Sequence, residues 1–372
     1  MTTRRLLLLA LLGAGAWGLY VVADRAVEAL WEVFVTENFT QLRPSGTPDA
    51  RDWTTLVDLR GTWDFRIGDD PAWAATALPE AGGWGRIAVP AAWENEGFHG
   101  YDGYGWYRTT FTLDDRAVKS VRDEPAFLLL GRIDDTDEVW LNGVYLGRSG
   151  RMPPLYATAA FSFRTYRVPP DLLRLDGENV LAVRVYDANL EGGILEGPVS
   201  LAVPTDRNPD SAPLLADLAG SWRFRPGDDP AWAAPRFDDA DWDSLRVPAV
   251  WDTQGYAFDG YGWYRTSVTL SDTEADQDLV LVLGAIDDLD QTFVNGVEVG
   301  ATGDIDGKQI GGDEWQVERA YPVPRGLLQS GPNVIAVRVY DGIFDGGIYR
   351  GPVGLMRPEA YDARRQRGGD IE

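Results

Sequence analysis

A series of motifs occurs twice in this chain, in the same order, and the duplication limits what it can fold into. Gly61 opens GTWDFRIGDDPAWA and Gly220 opens GSWRFRPGDDPAWA. VPAAWENEGF from Val89 is matched by VPAVWDTQGY from Val247, and DGYGWYRTTFTL from Asp102 by DGYGWYRTSVTL from Asp259. IDDTDEVWLNGVYLG from Ile133 pairs with IDDLDQTFVNGVEVG from Ile286, and NVLAVRVYD from Asn179 with NVIAVRVYD from Asn333. Gly192-Gly193-Ile194 returns as Gly346-Gly347-Ile348. Each copy takes roughly 150 residues, the size of one domain. The expected chain is therefore one domain made twice.

Each copy reads as all-β. Runs such as Tyr107 to Leu113, Phe127 to Leu130 and Val180 to Tyr186 are short, rich in β-branched and aromatic residues, and bounded by turn residues. Asn142-Gly143 and Asn295-Gly296 each divide two alternating runs, the sequence of a type I′ hairpin. Nothing after residue 52 carries a long helical period. The pattern predicts two tandem jelly-roll β-sandwiches, at 53–203 and 214–357, joined by a proline-bounded linker at 204–213. The polar stretch 358–372 is expected to be a disordered tail.

The N-terminus differs from the rest. Arg4 and Arg5 precede an uncharged run, Leu6 to Ala23, that as a helix would rise about 27 Å, enough to span a bilayer core. Residues 1–35 are expected to be a hydrophobic helix, a signal anchor or signal peptide, followed by a juxtamembrane helix, with 36–52 as a linker. Ala14-Gly15-Ala16 is a small-residue cleavage signal, but apolar residues continue past it, which favours an uncleaved anchor. The bulk of the chain is then membrane-anchored on the periplasmic or cell-surface side; after cleavage it would be secreted.

Composition excludes several functions. The net charge is −24, so no nucleic-acid backbone would be held by charge. There are no cysteines and one histidine, which rules out disulfides, a cysteine nucleophile and a multi-histidine zinc site within the chain. That histidine, His99, has no counterpart in the second copy.

Several motifs carry a family resemblance. Trp222-Arg-Phe, Phe237-Asp-Asp-Ala-Asp-Trp242, Val247-Pro248, Trp251, Gly262-Trp-Tyr-Arg265 and Asn333-Val-Ile-Ala-Val-Arg338 resemble the sugar-binding domain of glycoside hydrolase family 2. Ile286-Asp-Asp-Leu-Asp290, Asn295-Gly296, Tyr321-Pro-Val-Pro324 and Gly346-Gly347-Ile348 resemble the accessory β-domain of bacterial sialate O-acetylesterases. Both belong to the galactose-binding-like group. The resemblance spans about residues 53–357 and implies that fold, with carbohydrate as ligand. Members of the first group carry catalytic carboxylates on a TIM barrel, which needs roughly 250 residues; no such stretch follows residue 357 here. No GxSxG elbow is present either.

Two sets of residues are candidates for ligand binding. The first is aromatic: Trp93, Phe98, Tyr101 and Tyr104, with Trp251, Tyr256, Phe258 and Tyr261 in the second copy. Flat rings stack on the C–H face of a pyranose; the same rings would equally fill a sandwich core. The second is acidic: Asp134 and Asp135 with Asp137, and Asp287 and Asp288 with Asp290. Three carboxylates within four residues suit Ca²⁺ or sugar hydroxyls. They also suit a turn, with one of them paired to a half-buried Arg184 or Arg338. No other cofactor and no catalytic residue is expected. The leading expectation is a non-catalytic carbohydrate-binding protein for a glycan or polysaccharide. The alternatives are a hydrolase of the two resembled types, or its accessory subunit, and a structural module that docks a separate carbohydrate-active enzyme.

Overall fold

The computed structural model describes residues 49–78 and 82–368. The expected anchor, juxtamembrane helix and most of the first linker lie outside those residues. Among the described residues, no helix is long and apolar enough to cross a membrane.

The first copy contains β1 (Trp53–Asp58), β2 (Gly61–Ile67), β3 (Gly85–Val89), β4 (Gly103–Phe111), helix α1 (Asp115–Asp123), β5 (Ala126–Asp134), β6 (Thr136–Leu141), β7 (Val144–Ser149), β8 (Phe163–Val168), β9 (Asn179–Asp187) and β10 (Gly193–Pro204). They form two antiparallel sheets, ordered β1-β10-β5-β8 and β3-β2-β4-β9-β6-β7. The second copy contains β11 (Ala216–Asp217), β12 (Gly220–Pro226), β13 (Asp243–Val247), β14 (Gly260–Leu270), the short helix α2 (Asp272–Ala275), β15 (Leu279–Asp287), β16 (Leu289–Val294), β17 (Val297–Thr302), β18 (Glu318–Val323), β19 (Gly331–Asp341), β20 (Gly347–Arg350) and β21 (Gly354–Met356). Its sheets repeat the plan as β11-β21-β15-β18, with β20 also on β15, and β13-β12-β14-β19-β16-β17. Both copies are β-sandwiches.

Strand alternation places Trp63, Phe65, Tyr107, Leu181, Val183 and Val185 on one inner face, against Leu128, Leu130, Val199 and Leu201 from the other sheet. The outer face of the larger sheet is covered as well. A 3₁₀ turn, Pro71–Ala74, lays Trp73 over it, and Trp106 stacks on Trp140 at 5.1 Å. Both neighbours in the GWYR motif are therefore buried, Trp106 outward and Tyr107 inward.

The Asn-Gly turns form as expected, with φ of 54° and 79° at Asn142-Gly143 and 49° and 81° at Asn295-Gly296. Their asparagines also join distant strands. Asn142 Oδ1 accepts from Val180 N at 2.9 Å, and its Nδ2 donates to Asn179 Oδ1 at 2.9 Å. Asn295 repeats both bonds with Val334 and Asn333. The first residues of the duplicated NV(L/I)AVRVYD motif thus close the hairpin.

One expectation is corrected outright. Of the tail expected to be disordered, the described residues form a helix, α3 (Pro358–Gly368), and the last four lie outside the described residues. It has no strong apolar stripe and docks mainly by charge: Arg364 pairs with Asp210 at 2.5 Å and Glu318 at 2.9 Å. A polar segment held this way gives no hydrophobic period to read.

Candidate functional site

The aromatic candidates divide by depth. Trp93 and Trp251 are fully buried, which corrects their assignment as ligand platforms. The first glycine of each duplicated pair leaves room for these rings to lie so deep. A Cβ on Gly192 would stand 2.2 Å from the Trp93 ring, and one on Gly346 would stand 2.2 Å from the Trp251 ring. Phe98 packs edge-on against Phe65, Tyr101 against Trp93, and Tyr256 against Phe224, while Phe258 stacks on Trp251 at 4.9 Å. All four are half-buried and lean on the core rather than standing free of it.

Tyr104 and Tyr261 lie elsewhere. Each sits near the start of its strand, on the outer face, 4.8 Å from a second tyrosine on the neighbouring strand, Tyr186 or Tyr340. The guanidinium of Arg184 lies 4.6 Å from the Tyr104 ring, and that of Arg338 lies 4.8 Å from Tyr261. Tyr156 extends the first pair, 5.7 Å from Tyr186, and Lys308 covers the second. These rings are half-buried, as the four loop aromatics are. The arginines are fixed by carboxylates outside the Asp clusters. Arg184 pairs with Asp69 at 2.5 Å and Glu138 at 2.7 Å, and Arg338 with Asp228 at 2.6 Å and Asp306 at 2.7 Å. The expected pairing of Arg184 or Arg338 with an Asp of the clusters is therefore not made.

The acidic triplets are also rearranged. Asp137 and Asp290 point into the sandwich, where Asp137 accepts from Arg164 Nε at 2.6 Å and Asp290 from Arg319 Nε at 2.8 Å. Both pairs are fully buried, and Tyr166 or Tyr321 donates to the same carboxylate. These pairs brace the sandwich. The place of Asp137 beside Asp134 and Asp135 is taken by Asp187, from the end of β9; Asp341, from the end of β19, joins Asp287 and Asp288. In each trio one carboxylate oxygen per residue lies within 4.8 Å of the others. The Asp134-Asp135 and Asp287-Asp288 peptide bonds are cis.

Backbone amides orient the trios. Asp135 Oδ2 accepts from Ala188 N at 3.0 Å and Asp187 Oδ1 from Asn189 N at 3.1 Å. Asp288 Oδ2 accepts from Gly342 N at 3.0 Å and Asp341 Oδ1 from Ile343 N at 3.1 Å. Asp135 Oδ1 also accepts from the Thr158 hydroxyl at 2.6 Å. Burial pushes Asp187 up to about 7, against the help of the Asn189 amide, with Asp135, Asp134 and Asp102 adding to the rise. Asp341 is raised to about 7 by the same cause. Burial and Asp135 raise Asp134, partly offset by Arg132 and Arg164. Burial and Asp288 raise Asp287 further. Sequence reading missed Asp187 and Asp341. The signal was present: both copies of the NV(L/I)AVRVYD motif end in this aspartate.

Comparison with known proteins gives a consistent result. The family described as the β-galactosidase second all-β domain matches residues 89–191 and 227–342, one segment in each sandwich. A β-galactosidase of Bacteroides ovatus (BoGH2A) is 27% identical over 153 residues, which cover 38% of this chain and 16% of that protein. Among solved structures, a calcium-binding mutant of β-glucuronidase 2 from Bacteroides uniformis aligns over 81% of this chain and 28% of its own, at 16% identity and a TM-score of 0.33. A putative β-galactosidase from Bacteroides fragilis aligns over 79% of this chain and 36% of its own, at 14% identity and a TM-score of 0.32. The chain spans about a sixth of the curated relative and about a third or less of these solved chains.

Proposed function

The chain belongs to the family of the β-galactosidase second all-β domain, in both of its halves, and from that premise we propose that it is a non-catalytic carbohydrate-binding protein made of two galactose-binding-like jelly rolls. One observation carries the reading. In each copy a half-buried tyrosine pair on the outer face of the larger sheet, Tyr104–Tyr186 or Tyr261–Tyr340, lies beside a guanidinium held in place by carboxylates. Such a pair offers a sugar a stacking face and fixed donors at once. The tryptophans first expected to stack are core instead. Two copies on one chain suit a polymeric glycan, because the second contact forms at high effective concentration. In this reading residues 1–35 tether the protein to a membrane with the sandwiches exported; the charge-free run behind Arg4 and Arg5 supports it.

A glycan array followed by calorimetry on the full chain tests the proposal. Tyr104→Ala with Tyr261→Ala is expected to weaken a glycan found on the array at least about tenfold, in line with the loss of stacked contacts. Retention of no glycan, or unchanged affinity in the double variant, would overturn it. A second reading, docking of a separate carbohydrate-active enzyme, draws on Leu190 and Phe161, which are 82% and 71% exposed. Co-purification with a hydrolase, lost on Leu190→Ser, would favour that reading.

A further inference from the structure

We propose that each sandwich carries a site for a hard divalent cation of calcium size, formed by Asp134, Asp135 and Asp187 in the first copy and by Asp287, Asp288 and Asp341 in the second. The trios by themselves are only clusters of acids. The fate of their oxygens points to an ion. Asp187 and Asp341 are fully buried, and the Oδ2 atom of each has no hydrogen-bond partner among the described residues. Buried carboxylate oxygens ordinarily find a donor. Here the donors are used on the other oxygen: the amides of Asn189 and Ile343 take Oδ1 and leave Oδ2 without a donor, on carboxylates grouped with those of the neighbouring acids.

The spacing fits a cation. One oxygen from each residue lies within 4.8 Å of the other two. Opposite ligands of a calcium ion stand about 4.8 Å apart, at bonds of about 2.4 Å, so oxygens within that limit can share one coordination shell. The donors are all carboxylate oxygens, which suits a hard cation better than zinc or copper, whose preferred protein ligands are imidazole and thiolate. The other acids of the motif, Asp137 and Asp290, are held by Arg164 and Arg319. Among the described residues no basic side chain pairs with a carboxylate of either trio; within the trios Arg164 and Arg319 reach only the backbone carbonyls of Asp135 and Asp288, at 2.9 and 2.6 Å. The arrangement occurs twice with the same atoms free, as a duplicated ligand set should.

Terbium luminescence and calorimetric titration with calcium chloride test the proposal on full-length protein stripped with a chelator. Two ions per chain are expected. Asp341→Asn should remove one, Asp187→Asn the other, and the double variant both. No binding up to millimolar calcium, or a stoichiometry that neither substitution changes, would overturn the proposal. The wild-type protein supplies an independent check should a variant fail to fold. Crystals soaked in terbium should show an anomalous peak within bonding distance of Asp187 Oδ2 and Asp341 Oδ2, and its absence from both would equally reject the site.

Discussion

The two sandwiches share a fold, a hairpin lock and an acidic trio, yet one loop does opposite things in them. Leu190 and Phe344 are equivalent, and both hold the left-handed backbone, with φ of 75° and 76°. Phe344 is covered: Arg151 of the first sandwich lies 4.3 Å from its ring, and the next residue, Asp345, forms an ion pair with Arg148 and accepts from Arg151 Nε at 2.8 Å. Leu190 is 82% exposed, and Glu191 after it is exposed too. The difference lies in the receiving edge. The first copy offers Arg148 and Arg151 at the end of β7, where the second has Ala301 and Asp304. An acidic loop can dock on the former and is repelled by the latter. Duplication therefore made two loops but one receptor. The contact joins the copies once and cannot propagate to another molecule by the same pairing. It also leaves the first copy's loop uncovered while the second copy's loop is engaged.

The largest expected effects should fall on both copies alike, because they concern shared packing. Trp93→Ala and Trp251→Ala each remove a fully buried indole and should each destabilise by about 3–5 kcal/mol in urea unfolding. If one of the two is nearly neutral, the copies are less alike than their cores suggest. Next comes the contact that separates them. Asp345→Ala leaves Arg148 and Arg151, both mostly buried, without their carboxylate. A loss of about 1–3 kcal/mol is expected, with a single calorimetric transition splitting into two as the sandwiches uncouple.

Much of the fold was legible because its signals are local. Asn-Gly turns, strand alternation and motif order each depend on neighbouring residues. The site was less legible because its partners are far apart in sequence. Nothing local shows that Asp137 will turn inward to Arg164, or that Asp187, 53 residues beyond Asp134 in the chain, replaces it. Trp93 misled for a related reason. It lies in a loop motif, and only the approach of Gly192 across the sandwich shows it to be core. The charged tail escaped notice because Arg364 binds Asp210 and Glu318 from the body of the protein.

A pH series sharpens the comparison of the trios. Burial raises Asp187 and Asp341 to about 7 in the folded protein, well above the ordinary carboxylate value. Between about pH 4 and 7 the folded state then binds more protons than the unfolded chain, so stability falls as pH rises through that window. In chelator the melting temperature should drop from pH 5 to pH 8, and added calcium should restore it at the upper end. The second trio should respond more strongly, since Arg132 and Arg164 ease the charge on Asp134 while Asp287 is pushed further up. A calcium-free protein equally stable at both pH values would break this account.

The smallest effect is the most discriminating. Leu190→Ser and Glu191→Ala alter two side chains that stand exposed among the described residues, so each should change stability by less than about 0.5 kcal/mol. Phe344→Ser at the equivalent position removes a ring that Arg151 covers and should cost about 1 kcal/mol or more. The backbone is left-handed at both sites, so any relief or strain from the new side chain enters both variants and cancels in the comparison. What remains is the difference between a loop with a receptor and one without. Equal losses at the two positions would mean that the arginine edge of β7 adds nothing beyond the loop's own conformation, and the asymmetry between the copies would then be one of sequence alone.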